Sequence, residues 1–354
     1  MMKKVLYVSY ASTPYRAVFF EELGKVCDLT VVYECKKTIM RDETWASIQG
    51  TSYKVAYLEN KETKSRIKSV LKLFKHLGDN YDAIIIGCYN MPRESIAILY
   101  MKLKRKKFIL NTDGEVGEPR NIFKKIIRDF ILRGAHTYLC AGKISAEHIK
   151  RITGSEKIYP YYFSSLSKAE ILKANSESHK RGKTILCVGA DREYKGVDIF
   201  LEAARKLSQY KFKLIGVVKS HEKYMNYIKV NDIKNVEVIP FLAKEKLAIE
   251  YQRCQMLVLP SRKECWGLVI NEGAAYGIPI VSTYGSGAAV EFLAGKYERY
   301  LAKSGDAPDL ACRIQSLAQA TPKEKEEYAA YLRGKAKEYT IDKMVKIHLE
   351  VLSE

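Results

Sequence analysis

The chain has 354 residues, of which 47% are hydrophobic and 29% are charged. This composition is typical of a globular protein, and the length suits two domains, so a disordered chain is excluded. Sixty Lys and Arg against 41 Asp and Glu give a net charge of +19, which favours nucleic acid or an anionic membrane surface as a partner.

Short β-branched or aromatic runs alternate with helical patterns along the chain, which predicts an α/β fold with parallel sheets. The predicted strands of the first half are Lys4–Tyr10, Leu29–Tyr33, Lys54–Leu58, Ala83–Cys88, Phe108–Asn111, Thr137–Ala141 and Lys157–Tyr161. Those of the second half are Thr184–Val188, Lys213–Val217, Val236–Pro240, Met256–Pro260 and Ile278–Ser282.

The polar stretch between these two sets of strands lacks strand character and predicts a domain boundary. We expect an N-terminal Rossmann-like domain over residues 1–164, a linker over 165–181, and a second Rossmann-like domain over 182–330. Residues 331–354 are rich in Ala, Glu, Lys and Leu, so we predict a final helix. It packs either on its own domain or back on the first one.

In an open parallel sheet, ligands bind at the carboxyl ends of the strands, so the loops that follow strands are the candidate sites. Thr13 and Pro14 follow the first strand and predict a helix N-cap with proline at the first helical position. The dinucleotide pattern G-x-G-x-x-G is absent there, which disfavours a nicotinamide enzyme.

The loop after Val188 carries Arg192 and Lys195 just before a helix predicted to begin near Gly196. Positive side chains beside a helix N-terminus suit a diphosphate, because both stabilise negative charge. An ordinary exposed loop explains the two residues equally well.

Glu264 and Glu272 flank a predicted junction between a strand and a helix that begins at Gly267. The spacing places Glu264 in the loop and Glu272 in the second helical turn, so both carboxylates are expected to face one crevice. The alternative is two surface glutamates. The next loop has two glycines beside Ser286, which would let backbone approach a ligand, although a plain turn also explains it.

Together these loops resemble the nucleotide-sugar half of family-4 retaining glycosyltransferases of the GT-B type. The shared pattern consists of a strand ending at Gly189, Lys195-Gly196, Leu259-Pro-Ser261, Glu264-Cys-Trp-Gly-Leu-Val-Ile-Asn-Glu272 and a Gly-rich loop ending at Glu291. The segment Thr13–Leu23 looks like the bacterial polysaccharide and capsule branch of the family. The resemblance implies two doubly wound, Rossmann-like parallel-sheet domains that face each other across a cleft.

The resemblance further implies a retaining, metal-independent transfer from a nucleoside-diphosphate sugar, most simply a UDP- or GDP-sugar. The acceptor would be a glycan or a polyprenyl-diphosphate-linked sugar, and no cofactor is implied. Arg192 and Lys195 would hold the diphosphate, and Glu264 would contact the donor sugar. Other implied donor-binding residues are Glu272 at the ribose, Gly189, Gly267, Leu268, Val269 and Ser286.

The chain departs from the family pattern at two places. Family members often carry Arg directly after the glycine equivalent to Gly189, where this chain has Ala190, so Arg192 would act from two positions later. Many also carry His-Asp after a central strand of the first domain, where this chain has Thr112-Asp113. Asp113 then becomes the acceptor-side candidate, with Tyr15 and Arg16 nearby in the first loop.

Three other functions remain open on the sequence. A nucleotide-sugar epimerase could use the same fold, a non-catalytic membrane-associated subunit could retain it, and nucleic-acid binding has no zinc-finger or RNA-reader pattern to support it. Scattered cysteines without C-x-x-C spacing predict buried thiols in a reducing compartment. The chain start lacks a secretory pattern, so we expect a cytoplasmic protein.

Basic residues group at 61–75, at 102–107 and on the predicted amphipathic helix 121–133. Such a helix either lies on the inner face of the cell membrane or packs its apolar side on the core of its own domain.

Overall fold

A computed structural model describes residues 2–35, 50–59, 66–114, 121–176, 181–189 and 192–354. These residues form two compact units, of which the first joins Met1–Ser165 to Ile341–Glu354 and the second is Leu166–Thr340. Ala190 and residues 61–65 of the first basic group lie outside the described residues.

The first unit is a parallel sheet with helices. Its strands are β1 Lys4–Ala11, β2 Asp28–Cys35, β3 Lys54–Glu59, β4 Ala83–Ile86, β5 Ile109–Thr112, β6 Thr137–Ala141 and β7 Ile158–Tyr161. Its helices are α1 Pro14–Gly24, α2 Arg66–Gly78, α3 Pro92–Leu103, α4 Ile122–Leu132, α5 Gly142–Thr153 and, at the end of the chain, α14 Ile341–Ser353. The strand order is β3-β2-β1-β4-β5-β6-β7, with every pair parallel.

The second unit repeats this plan. Its strands are β8 Thr184–Val188, β9 Lys211–Ile215, β10 Val236–Ile239, β11 Met256–Leu259, β12 Ile280–Thr283 and β13 Leu301–Ala302. Its helices are α6 Lys168–Ser176, α7 Val197–Lys206, α8 His221–Val230, α9 Lys244–Arg253, α10 Leu268–Ala275, α11 Gly287–Leu293, α12 Ala307–Gln319 and α13 Pro322–Glu338. The order β10-β9-β8-β11-β12-β13 is again fully parallel.

The central strands are largely apolar because helices cover the sheets, and β6 and β11 are buried at every position. Each sheet reverses its strand order at one place, between β1 and β4 in the first unit and between β8 and β11 in the second. Loops at the carboxyl ends of such strands form the ligand crevice of doubly wound folds. The loops after β8 and β11 are those that carry Lys195 and Glu264.

All twelve predicted strands are present within a few residues of their predicted bounds. The two-residue strand β13 was not predicted. Residues 165–181, expected to be a linker, include helix α6, which belongs to the second unit. The C-terminal helical stretch is interrupted before Ile341, and its last part, α14, groups with the first unit and packs on α1 and β7. Among the described residues, no helix has the length and apolar character needed to cross a membrane.

Candidate functional site

Lys195 and Glu264, two residues that the sequence motifs single out, lie in contact in the second unit. The Lys195 ammonium donates a hydrogen bond to Glu264 Oε1 and forms an ion pair with it, although 69 residues separate them. Their side chains are only 17% and 12% exposed. The pair joins the loop after β8 to the loop after β11, directly at the point where the sheet reverses its strand order.

Neighbouring polar groups fix the orientation of the Glu264 carboxylate and backbone. Ser261 Oγ donates to Glu264 Oε2 at 2.6 Å, which leaves Oε1 for Lys195. The Glu264 amide donates to Gly285 O at 2.7 Å, and the Gly287 amide donates to Glu264 O at 3.2 Å. These bonds tie the loop after β11 to the loop after β12, so Glu264 is held from both sides.

Glycine is required at Gly196 and Gly267, the residues directly before α7 and α10. Gly196 has φ +70° and Gly267 has φ +106°, the left-handed region that other residues rarely adopt. A Cβ at Gly196 would also overlap Pro260 O, and one at Gly267 would lie 2.9 Å from Ser286 Oγ. The tight turns bring the first turns of both helices to the loops around Lys195 and Glu264.

Leu268 and Val269 are the first two residues of α10, as predicted from the Gly267 boundary. Amides at these positions have no acceptor within their own helix, and the helix dipole makes them a favourable place for an anion. The turn before these amides adjoins Glu264, since a Cβ at Gly267 would lie 3.5 Å from Glu264 Cδ.

Ser286 and its neighbouring glycines have a structural use that the sequence did not indicate. The Ser286 hydroxyl is fully buried, donates to Trp266 O at 2.8 Å and caps α11 by accepting from the Ala289 amide at 3.4 Å. A Cβ on Gly285 or Gly287 would overlap backbone of residues 261–265. The glycines thus let two loops of this chain pack closely.

Glu272 lies in α10, as predicted, and is half-buried. Its Oε2 accepts a hydrogen bond of 2.6 Å from Tyr251 on α9. Burial, and then the Glu272 charge, hold the pKa of Tyr251 well above its usual value of 10.0, so the tyrosine stays a donor. The bond fixes the glutamate relative to α9.

Two other predicted donor-side residues lie on the loop after β8. Arg192 is half-buried and begins the 3-10 turn Glu193–Lys195, in which the Lys195 amide donates to Arg192 O at 2.9 Å. Gly189 follows β8 directly, and a Cβ built on it meets no atom of the described part of the chain within 4 Å. Among those residues, space beside Gly189 is therefore open on the side where a side chain would project.

Arg262 is a residue of the site region that sequence reasoning missed. It donates to both carboxylate oxygens of Asp198, at 2.7 Å and 2.5 Å, and to Glu193 O at 3.0 Å. This fork pairing lowers the pKa of Asp198 and clamps the loop after β11 onto α7. No motif signalled it, because the two residues are 64 positions apart.

The acceptor-side candidates of the first unit form a cluster of their own. Arg16 is buried and donates to both Asp113 oxygens, at 2.7 Å and 2.6 Å, and to Tyr7 Oη at 3.0 Å. Asp113 is 30% exposed and also accepts from Tyr161 Oη at 3.0 Å. Tyr15 contacts Phe163 edge to face, with ring centroids 5.9 Å apart.

Beneath Asp113, buried Asn111 connects the sheet to the last helix. Asn111 Nδ2 lies 3.2 Å from His348 Nε2, and His348 Nδ1 lies 2.7 Å from Met344 O. Since a carbonyl only accepts, the proton is assigned to Nδ1, and Nε2 accepts from Asn111. Burial lowers the pKa of His348 from 6.5 to about 4, which keeps the ring neutral.

Glu94 is a second residue that the sequence did not single out. It lies in the first turn of α3, after β4, and is 1% exposed. Apart from its own backbone amide and the weak thiol donor of Cys88, its carboxylate oxygens have no hydrogen-bond partner among the described residues. Burial therefore raises the pKa of Glu94 above its usual value of 4.5.

The cysteine expectation was only partly right. Cys140 and Cys187 are buried, and burial raises the pKa of each thiol to about 12, so both are unreactive. Cys265 and Cys312 are exposed instead.

Comparison with known proteins shows which family the second unit resembles. Residues 168–339 match the family model described as Glycosyl transferases group 1. An uncharacterized glycosyltransferase of Methanocaldococcus jannaschii is 33% identical over 132 residues, which are 37% of each chain. The O-antigen chain mannosyltransferase C of Escherichia coli is 22% identical over 225 residues, 60% of this chain and 59% of the relative. The matches thus cover less than two thirds of these relatives.

Solved structures match over the whole chain. The crystal structure of Anabaena HepE in complex with UDP and glucose superposes with a TM-score of 0.73 at 14% identity, covering 99% of this chain and 100% of that one. Sucrose-phosphate synthase from Thermosynechococcus elongatus has a TM-score of 0.73 at 15% identity, covering 99% and 98%. The fold is therefore the two-domain, Rossmann-like GT-B fold.

Proposed function

We propose that this protein is a retaining glycosyltransferase that takes a sugar from a nucleoside-diphosphate donor bound at the Lys195–Glu264 pair. The observation that carries the proposal is this pair: an ion-paired lysine and glutamate at the strand-order reversal of a parallel sheet, beside the N-termini of α7 and α10. A diphosphate and a sugar need these two kinds of group, a cation and a carboxylate, side by side.

The diphosphate is the part of the donor on which negative charge grows as the anomeric C–O bond breaks. In the proposal it binds Lys195, Arg192 and the first amides of α10, including those of Leu268 and Val269. These groups are positioned before the reaction starts, so they stabilise the leaving group without reorganising. Because cationic groups supply this stabilisation, we propose that no metal is required.

The two glutamates bind hydroxyl groups in the proposal. Glu264 contacts the donor sugar once the diphosphate draws Lys195 away from it, with Ser261 still holding the other carboxylate oxygen. Glu272, fixed by Tyr251, accepts from the ribose hydroxyls. The open space beside Gly189 accommodates the donor close to the backbone.

In the proposed transfer, one bond to the anomeric carbon breaks, one forms, and one proton moves. The electron pair of the anomeric C–O bond leaves with the diphosphate, and an acceptor hydroxyl oxygen forms the new bond on the same face of the sugar. The departing phosphate takes the acceptor proton. Anomeric configuration is therefore retained, and no pair of protein carboxylates of the glycosidase type is needed.

The acceptor contacts the first unit through Asp113 in this proposal. Its carboxylate is part-exposed and can accept a bond from a sugar hydroxyl, whereas buried Arg16 and Tyr161 hold it in place. We propose a glycan or a polyprenyl-diphosphate-linked sugar as the acceptor, which is consistent with the O-antigen name of one relative. A UDP-sugar is the first donor to test, because Anabaena HepE was crystallised with UDP.

Thermal-shift screening against UDP-, GDP- and ADP-sugars identifies the donor, because a ligand that binds only the folded state raises the unfolding temperature. Binding by one of these classes supports the proposal. Lack of any shift, confirmed by calorimetry, refutes it and favours a non-catalytic subunit.

Product analysis then separates transfer from isomerisation. With the identified donor and a glycan acceptor, nuclear magnetic resonance should show a product with the anomeric configuration of the donor, formed equally well in the presence of a chelator. Conversion of the donor without any acceptor would instead identify an epimerase.

A further inference from the structure

Helix α4 of the first unit exposes its apolar side chains to solvent. Five large apolar side chains of α4 are exposed: Ile122 61%, Phe123 72%, Ile126 58%, Ile127 58% and Phe130 56%. We call these five residues the α4 apolar face. The residues that α4 buries are Arg128 and Leu132, at 6% and 0% exposure. This arrangement is the reverse of a core-packed surface helix, whose apolar stripe faces inward.

The orientation of α4 is fixed by specific contacts. Asn121 caps its start by accepting from the amides of Phe123 and Lys124, at 2.9 Å and 3.3 Å. Leu132 is fully buried, and partly buried Ile131 packs on the hydrophobic core of the first unit. At the other side, Lys102 donates to Phe130 O at 2.6 Å, and its ammonium lies 3.7 Å from the centre of the Phe130 ring. The helix therefore cannot rotate to bury its apolar face without breaking these contacts.

The surface continues onto the neighbouring helices. Helix α3 packs between α2 and α4, and it exposes Leu99 by 42% and Leu103 by 81%. Helix α2 exposes Ile67 by 73% and Leu71 by 60%. Exposed apolar residues in this number on adjacent helices form a patch of the kind that marks an interaction site.

The charge around this patch is almost entirely positive. Helix α2, residues 102–107 and α4 with Arg133 contain thirteen Lys and Arg and a single acidic residue, Asp129, which pairs with Arg128. Residues 103–107 and Lys124 are exposed. An anionic partner is thus favoured, and a second copy of the chain is disfavoured because it would bring two such basic surfaces together.

We propose that α4 lies in the plane of an anionic lipid bilayer, with the α4 apolar face inserted below the headgroups and the surrounding Lys and Arg on the lipid phosphates. Basic helices with one aromatic and aliphatic face bind membranes in this way, inserting about 5–10 Å deep. Each basic residue close to an anionic surface adds electrostatic attraction, which salt screens. This inference rests on the surface of the first unit and does not depend on the proposed transfer reaction.

The test is sedimentation of the full-length protein with sonicated vesicles, either of phosphatidylcholine alone or of phosphatidylcholine with about 30% phosphatidylglycerol, a range in which basic segments respond to charge. The expected result is binding to the anionic vesicles that weakens with added salt and is much weaker on neutral vesicles. The Phe123→Ser/Ile127→Ser variant should lower the partition coefficient by at least about tenfold, since each exposed apolar group contributes to insertion.

A matched variant controls for the loss of apolar surface. Val230→Ser/Phe241→Ser removes two side chains of the second unit that are 74% and 61% exposed, and it should bind vesicles like the unchanged protein. Because all four side chains are mostly in water, both variants should unfold at the unchanged temperature.

Three results would overturn the inference. One is absence of vesicle binding by the unchanged protein, and another is anionic binding that the Phe123→Ser/Ile127→Ser change leaves intact, which would show attraction by charge alone. The third is a dimer in sedimentation velocity that the same variant dissociates, because the α4 apolar face would then be covered by a second copy.

Discussion

His348 should make the stability of the first unit depend on pH in a calculable way. The residue lies on α14, is 0% exposed, and has ring centroids 4.7 Å from Phe19 and 5.1 Å from Tyr161. In the neutral ring both nitrogens have a hydrogen-bond partner, because Nδ1 donates to Met344 O and Nε2 accepts from Asn111. A second proton would put an N–H against the Asn111 amide at a fully buried position, where the Arg16 guanidinium also disfavours positive charge, so we expect acid to weaken the attachment of α14.

The size of the effect follows from the pKa difference between the unfolded and folded protein. Burial lowers the pKa of His348 from 6.5 to about 4, so between these values the unfolded chain binds more protons than the folded one. The stability that neutral His348 contributes is fully present above pH 6.5 and is lost as the pH falls toward about 4. At about 1.4 kcal/mol per unit of pKa, this difference corresponds to roughly 3 kcal/mol of unfolding free energy.

Urea unfolding followed by far-ultraviolet circular dichroism across this range measures the loss directly. His348→Phe keeps an aromatic ring in the pocket but cannot be protonated, so its unfolding free energy should fall less steeply with acid than that of the unchanged protein. His136→Gln, which removes an exposed imidazole, should keep most of the original slope. Equal slopes for the unchanged protein and His348→Phe would refute the reasoning.

Three further predictions concern glycines and carboxylates. Gly189→Ala should leave the unfolding temperature unchanged and weaken nucleotide binding, whereas Gly196→Ala, at φ +70°, should cost about 1–2 kcal/mol or more in urea unfolding. Equal stability of both would contradict the geometry. The folded pKa of Glu94 is raised, so ionisation of Glu94 costs stability as the pH rises. The unfolding free energy of Glu94→Gln should therefore rise relative to that of the unchanged protein from acid to neutral pH. A difference that does not change with pH would argue against this. Asp113→Asn should lower transfer to the acceptor while calorimetry finds the nucleotide affinity unchanged, and unaltered transfer would exclude Asp113 from acceptor binding.

The sequence predicted the strands well because each is a short, nearly continuous apolar run bounded by glycine, proline or polar residues. It missed β13, since two residues carry no periodic pattern. It also did not separate α14 from α13, because both are rich in helix-forming residues. The buried face of α14, which includes Ile341, Met344 and His348, packs on α1 and β7 of the first unit. Such contacts between distant segments are not encoded in the local pattern of the helix.

Site residues were predictable where a local pattern marked them and not where distant segments meet. Gly196 and Gly267 were expected at helix starts, and their left-handed backbones occur there. The Arg262–Asp198 clamp and buried Glu94 carry no such signal. For α4, periodicity predicted an apolar stripe, but it gave no information on whether the stripe faces the core or the solvent.

Calorimetric titration of nucleoside diphosphates into the unchanged protein, Lys195→Ala and Lys213→Ala tests the central claim most directly. Lys213 is a matched control, because it is 16% exposed against 17% for Lys195 and is also ion-paired, with Glu237 and Glu250. A bond between charged groups contributes about 1.5–3 kcal/mol, so Lys195→Ala should weaken binding by roughly 10- to 100-fold. Lys213→Ala should bind normally. Equal affinity of Lys195→Ala and the unchanged protein would contradict a donor site at the Lys195–Glu264 pair.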